Sequence, residues 1–179
     1  MKIAIDFDGT LIDSGELICR ATQKLWGREI RPEFLFCHGL VEVLGISQEQ
    51  VNQVLKEAFC NVYSYKFVPG ANLGLFLLDQ MGLEIIIDTK RPFNGVKKWL
   101  ELYNLEKIRV IYLNNEPMER VDYLIDDYPS KIVELLPFVS KQAFLLTQPW
   151  NRGCMNIGKN FIKVNSWKDF LKELGIKYE

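Results

Sequence analysis

The sequence lacks the features that place a protein in a membrane or mark it for export. It contains no apolar stretch that approaches the roughly 20 residues a helix needs to cross a bilayer. Its N-terminus also lacks the basic-then-apolar pattern of a signal peptide, because Asp6 and Asp8 interrupt the first apolar run at once. A membrane partner is therefore not expected.

Strong net charge, abundant histidine and paired cysteines are missing as well. The formal net charge is −1, which gives no electrostatic reason to expect a nucleic acid polymer as partner. The four cysteines form no C-x-x-C motif; they could in principle form two bridges, but free thiols and a cytoplasmic location are expected for a chain without a leader. His38 is the only histidine, and a lone histidine is more often a surface or packed residue than a catalyst.

What the sequence does contain is an alternation of strand and helix patterns. With 179 residues, of which 48% are hydrophobic, the chain can build one good core without disulfides. Apolar runs predict strands at 2–6, 83–88, 108–113, 123–125 and 143–147. Helical patterns are predicted at 14–26, 51–62, 71–81, 92–103, 129–136 and 166–175. Such alternation predicts an α/β fold with a doubly wound parallel sheet.

One block interrupts this alternation. Residues 14–67 have little strand signal, and helix-start signals recur at Ser14, at Pro32 and at Ser47 with Gln50, which together resemble a capping box. We therefore expect a helical insertion at 14–67 in a core formed by residues 1–13 and 68–179.

Polar residues follow three of the predicted strands at the point where each strand ends. These endings are DFDGT at 6–10, DTKR at 88–91 and the acidic pair Asp126 and Asp127. Ligands of open parallel sheets bind beyond the carboxyl ends of the strands, so neighbouring strands would bring these acids together. Such a cluster needs a cation, and oxygen ligands of this kind suit Mg²⁺.

The spacing of Asp6 and Asp8 suits paired chemistry. Positions i and i+2 lie near one face, and Gly9 permits a sharp turn that brings backbone N–H groups close to an anion. The alternative is ordinary turn chemistry, since Asp-x-Asp-Gly is common in turns, and the acidic pair could simply precede a helix. The occurrence of three such endings at matching strand ends favours a functional site.

These residues resemble the haloacid dehalogenase (HAD) superfamily of Mg²⁺-dependent phosphohydrolases. Its first motif, D-x-D-G-T, is matched at 6–10; its second, an apolar strand ending in Thr or Ser, at 85–89; and its acidic pair at 124–127. The helical block resembles the small cap domain of the family. The stretches YLIDD at 123–127, LTQPWNR at 146–152, VPG at 68–70 and VNSW at 164–167 are most similar to the 5'(3')-deoxyribonucleotidase branch.

The resemblance implies a role for each matching residue. Asp6 would be the nucleophile that forms an aspartyl-phosphate, and Asp8 would donate and accept the protons. Mg²⁺ would be held by Asp6, the Asp8 carbonyl, Asp127 and Asp126. The phosphoryl oxygens would be bound by Gly9, Thr10, Thr89 and Lys90.

The sequence departs from the family at the third motif. A lysine is usual roughly ten residues before the acidic pair, and Glu116 stands there instead. Arg120 or Lys90 could supply the cation, although Arg and Lys are not equivalent. Otherwise turnover would be weak.

The sequence therefore predicts a Mg²⁺-dependent phosphomonoesterase that acts on a small phosphorylated metabolite, as a 5'-nucleotidase on (deoxy)nucleoside monophosphates. Two alternatives remain open: a HAD-fold binder without turnover, and a phosphatase or phosphotransferase for another phosphorylated metabolite. A signalling receiver domain is disfavoured by the order of the motifs.

Overall fold

The computed structural model describes residues 1–35, 41, 45–91, 93–114, 116–153 and 161–177, and within them the chain forms a six-stranded parallel sheet. The strands are β1 (Lys2–Asp6), β2 (Glu84–Thr89), β3 (Arg109–Tyr112), β4 (Val121–Asp126), β5 (Val139–Leu146) and β6 (Phe161–Val164). Their spatial order is β3-β2-β1-β4-β5-β6. The prediction of a doubly wound α/β fold is confirmed.

Helices flank this sheet. They are α1 (Ser14–Trp26), α2 (Gln48–Ala58), α3 (Ala71–Gln80), α4 (Phe93–Leu102), α5 (Pro129–Leu135) and α6 (Trp167–Glu173). Short 3₁₀ turns lie at Pro32–Phe34, Val62–Ser64, Leu136–Phe138 and Pro149–Asn151. The capping box of Ser47 and Gln50 is confirmed, whereas the cap of α1 is Asp13, whose carboxylate accepts from the Glu16 amide, rather than Ser14.

The interior position of β1 explains its composition. Ile3, Ala4 and Ile5 have no exposed surface, as expected for a strand covered on both faces of a parallel sheet. Ile3 and Ile5 belong to the core on one face, and Ala4 belongs to the core on the other. Alternate residues of β1 therefore contribute side chains to the apolar cores on opposite faces of the sheet.

The sixth strand was not predicted. Phe161–Val164 is only four residues long and contains a lysine, so its apolar run is too short to predict a strand from the sequence. It pairs with β5, from Ala143 with Phe161 to Leu146 with Val164. The pairing supplies the context that the local sequence lacks.

The segment between β1 and α3 contains the helices α1 and α2, the 3₁₀ turns at Pro32–Phe34 and Val62–Ser64, and non-helical stretches that include an isolated bridge between Ile12 and Phe67. α1 and α2 pack together over a small cluster of Ile46 and Val51 with Trp26, while Val54 joins the main core. Cys37, His38 and Cys154 lie outside the described residues, and Cys19 and Cys60 are free thiols. None of the helices in the described ranges is both long and apolar enough to cross a bilayer.

Candidate active site

Strand register brings the predicted acids to one edge of the sheet. Asp6 is paired with Asp88 across β1 and β2, and Ile5 is paired with Ile125 across β1 and β4. Asp126, the last residue of β4, therefore lies at the level of Asp6. Residues in register on neighbouring parallel strands project to the same face, so three carboxylates converge.

Asp6, Asp126 and Asp127 form a potential metal site. One carboxylate oxygen from each lies within 4.8 Å of the others. Asp6 and Asp127 are each 6% exposed, and Asp126 is completely buried. Carboxylates that lie this close together inside a protein repel one another, and a cation between them would relieve that repulsion.

Lys131 is the cation of this cluster that sequence reasoning missed. Its Nζ contacts Asp6 Oδ1 and lies 2.6 Å from Asp88 Oδ2 and 2.9 Å from Asp126 Oδ2. Helix α5 starts at Pro129, which carries Lys131 back over the end of the sheet. The resemblance placed the expected lysine before the acidic pair, whereas Lys131 follows that pair in the chain.

The signal that could have revealed Lys131 is its place in the first turn of a helix. A cation there opposes the helix dipole, so a buried lysine at this position indicates acidic partners beyond the helix. Lys90 does not take this place: its Nζ is 3.6 Å from Glu134, and its side chain is 55% exposed. Arg120 is exposed as well.

The carboxylates of the cluster are held in an unfavourable electrostatic environment. Burial raises the pKa of Asp6 well above its usual range, and the charge of Asp126 raises it further. Burial and Asp126 raise the pKa of Asp127 to about 8. Burial also raises the pKa of Asp126 itself. For Lys131, burial lowers the pKa, but Asp126, Asp6 and Asp88 together raise it well above its ordinary value.

One ammonium does not satisfy all these oxygens. Oδ1 of Asp88 is buried and has no hydrogen-bond partner in the described part of the chain. The donor set consists of oxygens, its carboxylates outnumber the single ammonium of Lys131, and burial together with the charge of Asp126 raises the pKa of both Asp6 and Asp127. These properties fit a hard divalent cation such as Mg²⁺, held by Asp6, Asp126 and Asp127.

Asp127 is held in place by neighbouring groups. Trp150 Nε1 donates to Asp127 Oδ2 over 2.5 Å, and Thr10 Oγ1 lies 3.4 Å from Asp127 Oδ1. Asn151 Nδ2 donates to the Asp127 carbonyl over 2.7 Å. Gly9 has φ +79°, and a Cβ at this position would lie 2.6 Å from Asp127 Cγ. The loop after β5 and the turn after β1 thus fix this carboxylate together.

Asp8 lies outside the lysine cluster. Both of its carboxylate oxygens accept from Arg91, through Nε and Nη2. Thr89 is almost completely buried, and its Oγ1 accepts from the Arg91 amide over 3.0 Å, which leaves its hydroxyl proton available for a ligand. The Gly9 amide donates to the Ile12 carbonyl over 2.9 Å in this conformation.

No protein-family model matches the chain, and no curated protein sequence matches it. Solved structures do resemble it. A predicted phosphatase from Clostridium acetobutylicum is 16% identical with a TM-score of 0.69 over 97% of both chains. Protein Tyrosine Kinase A from Mycobacterium tuberculosis is 13% identical with a TM-score of 0.74 over 98% of both chains. A HAD family hydrolase from Deinococcus radiodurans R1, solved with bound phosphate and sodium, is 12% identical with a TM-score of 0.68 over 97% of this chain and 94% of that one.

Likeness at this level of identity shows the fold. The chain has the Rossmann-like α/β core found in HAD-like hydrolases, with its carboxylate cluster at the carboxyl ends of β1 and β4.

Proposed function

We propose that this protein is a Mg²⁺-dependent phosphomonoesterase that acts on (deoxy)nucleoside monophosphates, with Asp6 as nucleophile. The observation that carries the proposal is the buried cluster of Asp6, Asp126 and Asp127, in which the carboxylates outnumber the single ammonium of Lys131. Such a cluster is costly to maintain, and a cation shared with a phosphate group accounts for it.

In the first step, an Asp6 oxygen attacks phosphorus while the bond from phosphorus to the ester oxygen breaks. Asp8 transfers its proton to the departing oxygen, so that a neutral alcohol leaves. The product on the protein is an aspartyl-phosphate. Lys131 contacts Asp6 and offsets its negative charge.

In the second step, water attacks the phosphorus of the aspartyl-phosphate, and the proton of that water passes to Asp8. Inorganic phosphate leaves and Asp6 is regenerated. We assign Thr89, Thr10 and the Gly9 amide to the phosphoryl oxygens, which requires the Gly9 amide to exchange its present partner, Ile12. A divalent cation at Asp6, Asp126 and Asp127 would offset the charge between the anionic nucleophile and the phosphate.

The nucleotide part of the proposal rests on the likeness of residues 146–152 to the deoxyribonucleotidase branch. In the structure this stretch lies against the carboxylate cluster, through Trp150 at Asp127 and Gln148 Nε2 at the Gly9 carbonyl over 2.6 Å. We further assign residues 14–67 as the cap over this site. A binder without turnover is less well supported. That alternative was considered because no lysine stands before the acidic pair, but Lys131 supplies an ammonium that contacts Asp6.

The fold alone does not separate hydrolysis from phosphoryl transfer, since Protein Tyrosine Kinase A shares it. The decisive experiment measures release of inorganic phosphate from a panel of deoxynucleoside and nucleoside monophosphates and sugar phosphates, with Mg²⁺ and with EDTA. We expect Mg²⁺-dependent release, fastest with a nucleotide. Fastest release from a sugar phosphate would overturn the substrate assignment, and release from no member would overturn the activity.

A further inference from the structure

Arg91 connects the proposed proton-transfer residue to the helical segment between β1 and α3. Its Nε and Nη2 donate to the two oxygens of Asp8, and its side chain is only 11% exposed. Two parallel hydrogen bonds from a planar guanidinium fix both the position and the plane of a carboxylate. A lysine, which acts as a point charge, would fix neither.

The other sides of the guanidinium are held by aromatic residues. Arg91 Cζ lies 3.3 Å from the centroid of the Phe59 ring, and Nη1 donates to Tyr65 Oη over 3.1 Å. Tyr65 Oη in turn donates to the Phe59 carbonyl over 2.9 Å. Phe59 and Tyr65 lie beyond the end of α2, so this segment determines where Arg91 points. Stacking and hydrogen bonding together leave the guanidinium a single orientation.

Asp8 depends on this arrangement for its own orientation. Its side chain is 33% exposed, and within the described ranges the only side chain that donates to its carboxylate is Arg91. Among the described residues, Arg91 forms its ion pair with Asp8, whereas the ion pairs of Lys131 are with Asp6, Asp88 and Asp126. In the described part of the site, Lys131 therefore contacts the proposed nucleophile, Asp6, while a different cation, Arg91, contacts Asp8.

We propose that Arg91 is a positioning residue for proton transfer by Asp8, and that Phe59 and Tyr65 hold Arg91 in place for it. This inference rests on the proposed function. Hydrogen bonds from Arg91 keep the Asp8 carboxyl aimed at the departing oxygen. The proton passes from Asp8 to that oxygen as the phosphorus–oxygen bond breaks, and Arg91 keeps its own protons.

The test compares two esters that differ in their need for a proton. A nucleoside monophosphate releases an alcohol that must be protonated, whereas p-nitrophenyl phosphate releases a phenolate that leaves without one. We measure kcat/KM, because it reports the steps up to departure of the leaving group and excludes hydrolysis of the aspartyl-phosphate. For Arg91→Met we expect a loss of about 100-fold with the nucleotide and less than about threefold with the aryl ester.

Three further variants separate positioning from charge and from folding. Arg91→Lys keeps the charge without the paired hydrogen bonds, and we expect it to lose about tenfold with the nucleotide. Asp8→Asn should give the same ester-dependent pattern, and adding Arg91→Met to it should cost nothing further, since Arg91 acts through Asp8. Tyr65→Phe removes one hydroxyl and little packing, so it tests the link to the helical segment even if Arg91→Met fails to fold; a loss of about threefold is expected with the nucleotide alone.

Other outcomes overturn the inference in distinguishable ways. Equal losses with both esters, carried by KM, would make Arg91 a phosphate ligand. A gain in activity would make it a residue that restrains Asp8. Additive losses in the double variant would show that Arg91 does not act through Asp8. If the unaltered protein releases phosphate from neither ester, the proposed function itself fails, and this inference fails with it.

Discussion

The ammonium of Lys131 lies 2.6 Å from Oδ2 of Asp88, and both side chains are almost completely buried. Asp88 takes no part in the proposed metal site, yet it is in register with Asp6 and contacts the same lysine. It therefore adds a third negative charge beside Lys131. Together the three carboxylates raise the pKa of the lysine well above its ordinary value despite its burial.

Replacement of Lys131 by Met should destabilise the metal-free protein by about 3–5 kcal/mol, because it leaves buried carboxylates without their cation. The free energy of unfolding in urea, measured with EDTA, checks this. Lys90→Met is the matched control: its Nζ is 3.6 Å from Glu134 in an exposed pair, and its loss should cost less than about 0.5 kcal/mol. Equal costs for the two variants would contradict the assigned role of Lys131.

Asp6→Asn should reduce phosphate release by at least about a thousandfold, since it removes the atom that attacks phosphorus. It should not lower the stability of the metal-free protein at pH 8, because it replaces a buried carboxyl, whose ionisation burial and Asp126 disfavour, by a neutral side chain of the same shape. Phosphate release and urea unfolding are measured on the same preparation. An active Asp6→Asn protein would refute the nucleophile.

The metal-free protein should lose stability as the pH rises from about 4 to about 8. Burial raises the pKa of Asp127 to about 8 in the folded chain, against ~4 when unfolded. Between these two values the folded chain holds a proton on Asp127 that the unfolded chain has released. The resulting contribution to the free energy of unfolding is complete below the pKa of Asp127 in the unfolded chain, and it is lost as the pH rises through its pKa in the folded chain. Asp6 and Asp126 act in the same direction.

Urea unfolding across this pH range, with EDTA, measures the effect in the unaltered protein and in Asp127→Asn. The variant should show the weaker pH dependence. Saturating Mg²⁺ should raise stability most at the upper end of the range, because the ion binds ionised carboxylates. If the free energy of unfolding changes equally with pH in Asp127→Asn and in the unaltered protein, the assignment of a raised pKa to Asp127 is wrong.

Trp150→Phe should weaken Mg²⁺ binding about tenfold, because it removes the Nε1 donor that holds Asp127 Oδ2 while keeping an aromatic ring. Calorimetric titration of Mg²⁺ into the protein measures the affinity without a substrate. Trp26→Phe, in the small cluster with Ile46 and Val51, is the control and should leave the affinity unchanged. Unaltered affinity in Trp150→Phe would show that Asp127 needs no such support.

Gly9→Ala should cost more stability than Gly27→Ala. Both glycines have positive φ, at +79° and +65°, so both variants carry a backbone cost of about 1 kcal/mol. An added Cβ at Gly27 meets nothing within 4 Å, whereas at Gly9 it lies 2.6 Å from Asp127 Cγ and 2.8 Å from Trp150 Cζ2. Urea unfolding compares the two. Equal losses would mean that Asp127 and Trp150 move aside freely.

Local signals predicted much of the sheet and the acids at its edge. The apolar run of Lys2–Asp6 and the capping box at Ser47 are encoded within a few residues, so they can be read directly. Strand neighbours were expected only in outline, and β6 was missed because its pairing with β5 supplies what four residues cannot.

The partners of the acids could not be predicted in the same way. Lys131 and Arg91 reach Asp6 and Asp8 across separations of 125 and 83 residues. Their positions follow from where α5 begins and how the chain turns after β2. The sequence contains both residues, but only the folded chain shows which acid each one contacts.

The position of β1 between β2 and β4 has a consequence for biosynthesis. This strand is translated before both of its neighbours, which lie at Glu84–Thr89 and Val121–Asp126. One of its edges therefore remains open until Val121–Asp126 has been translated, and an apolar segment with an open edge readily associates with other chains. A nascent chain of this protein is most exposed to aggregation, and most dependent on chaperones, before Val121 emerges.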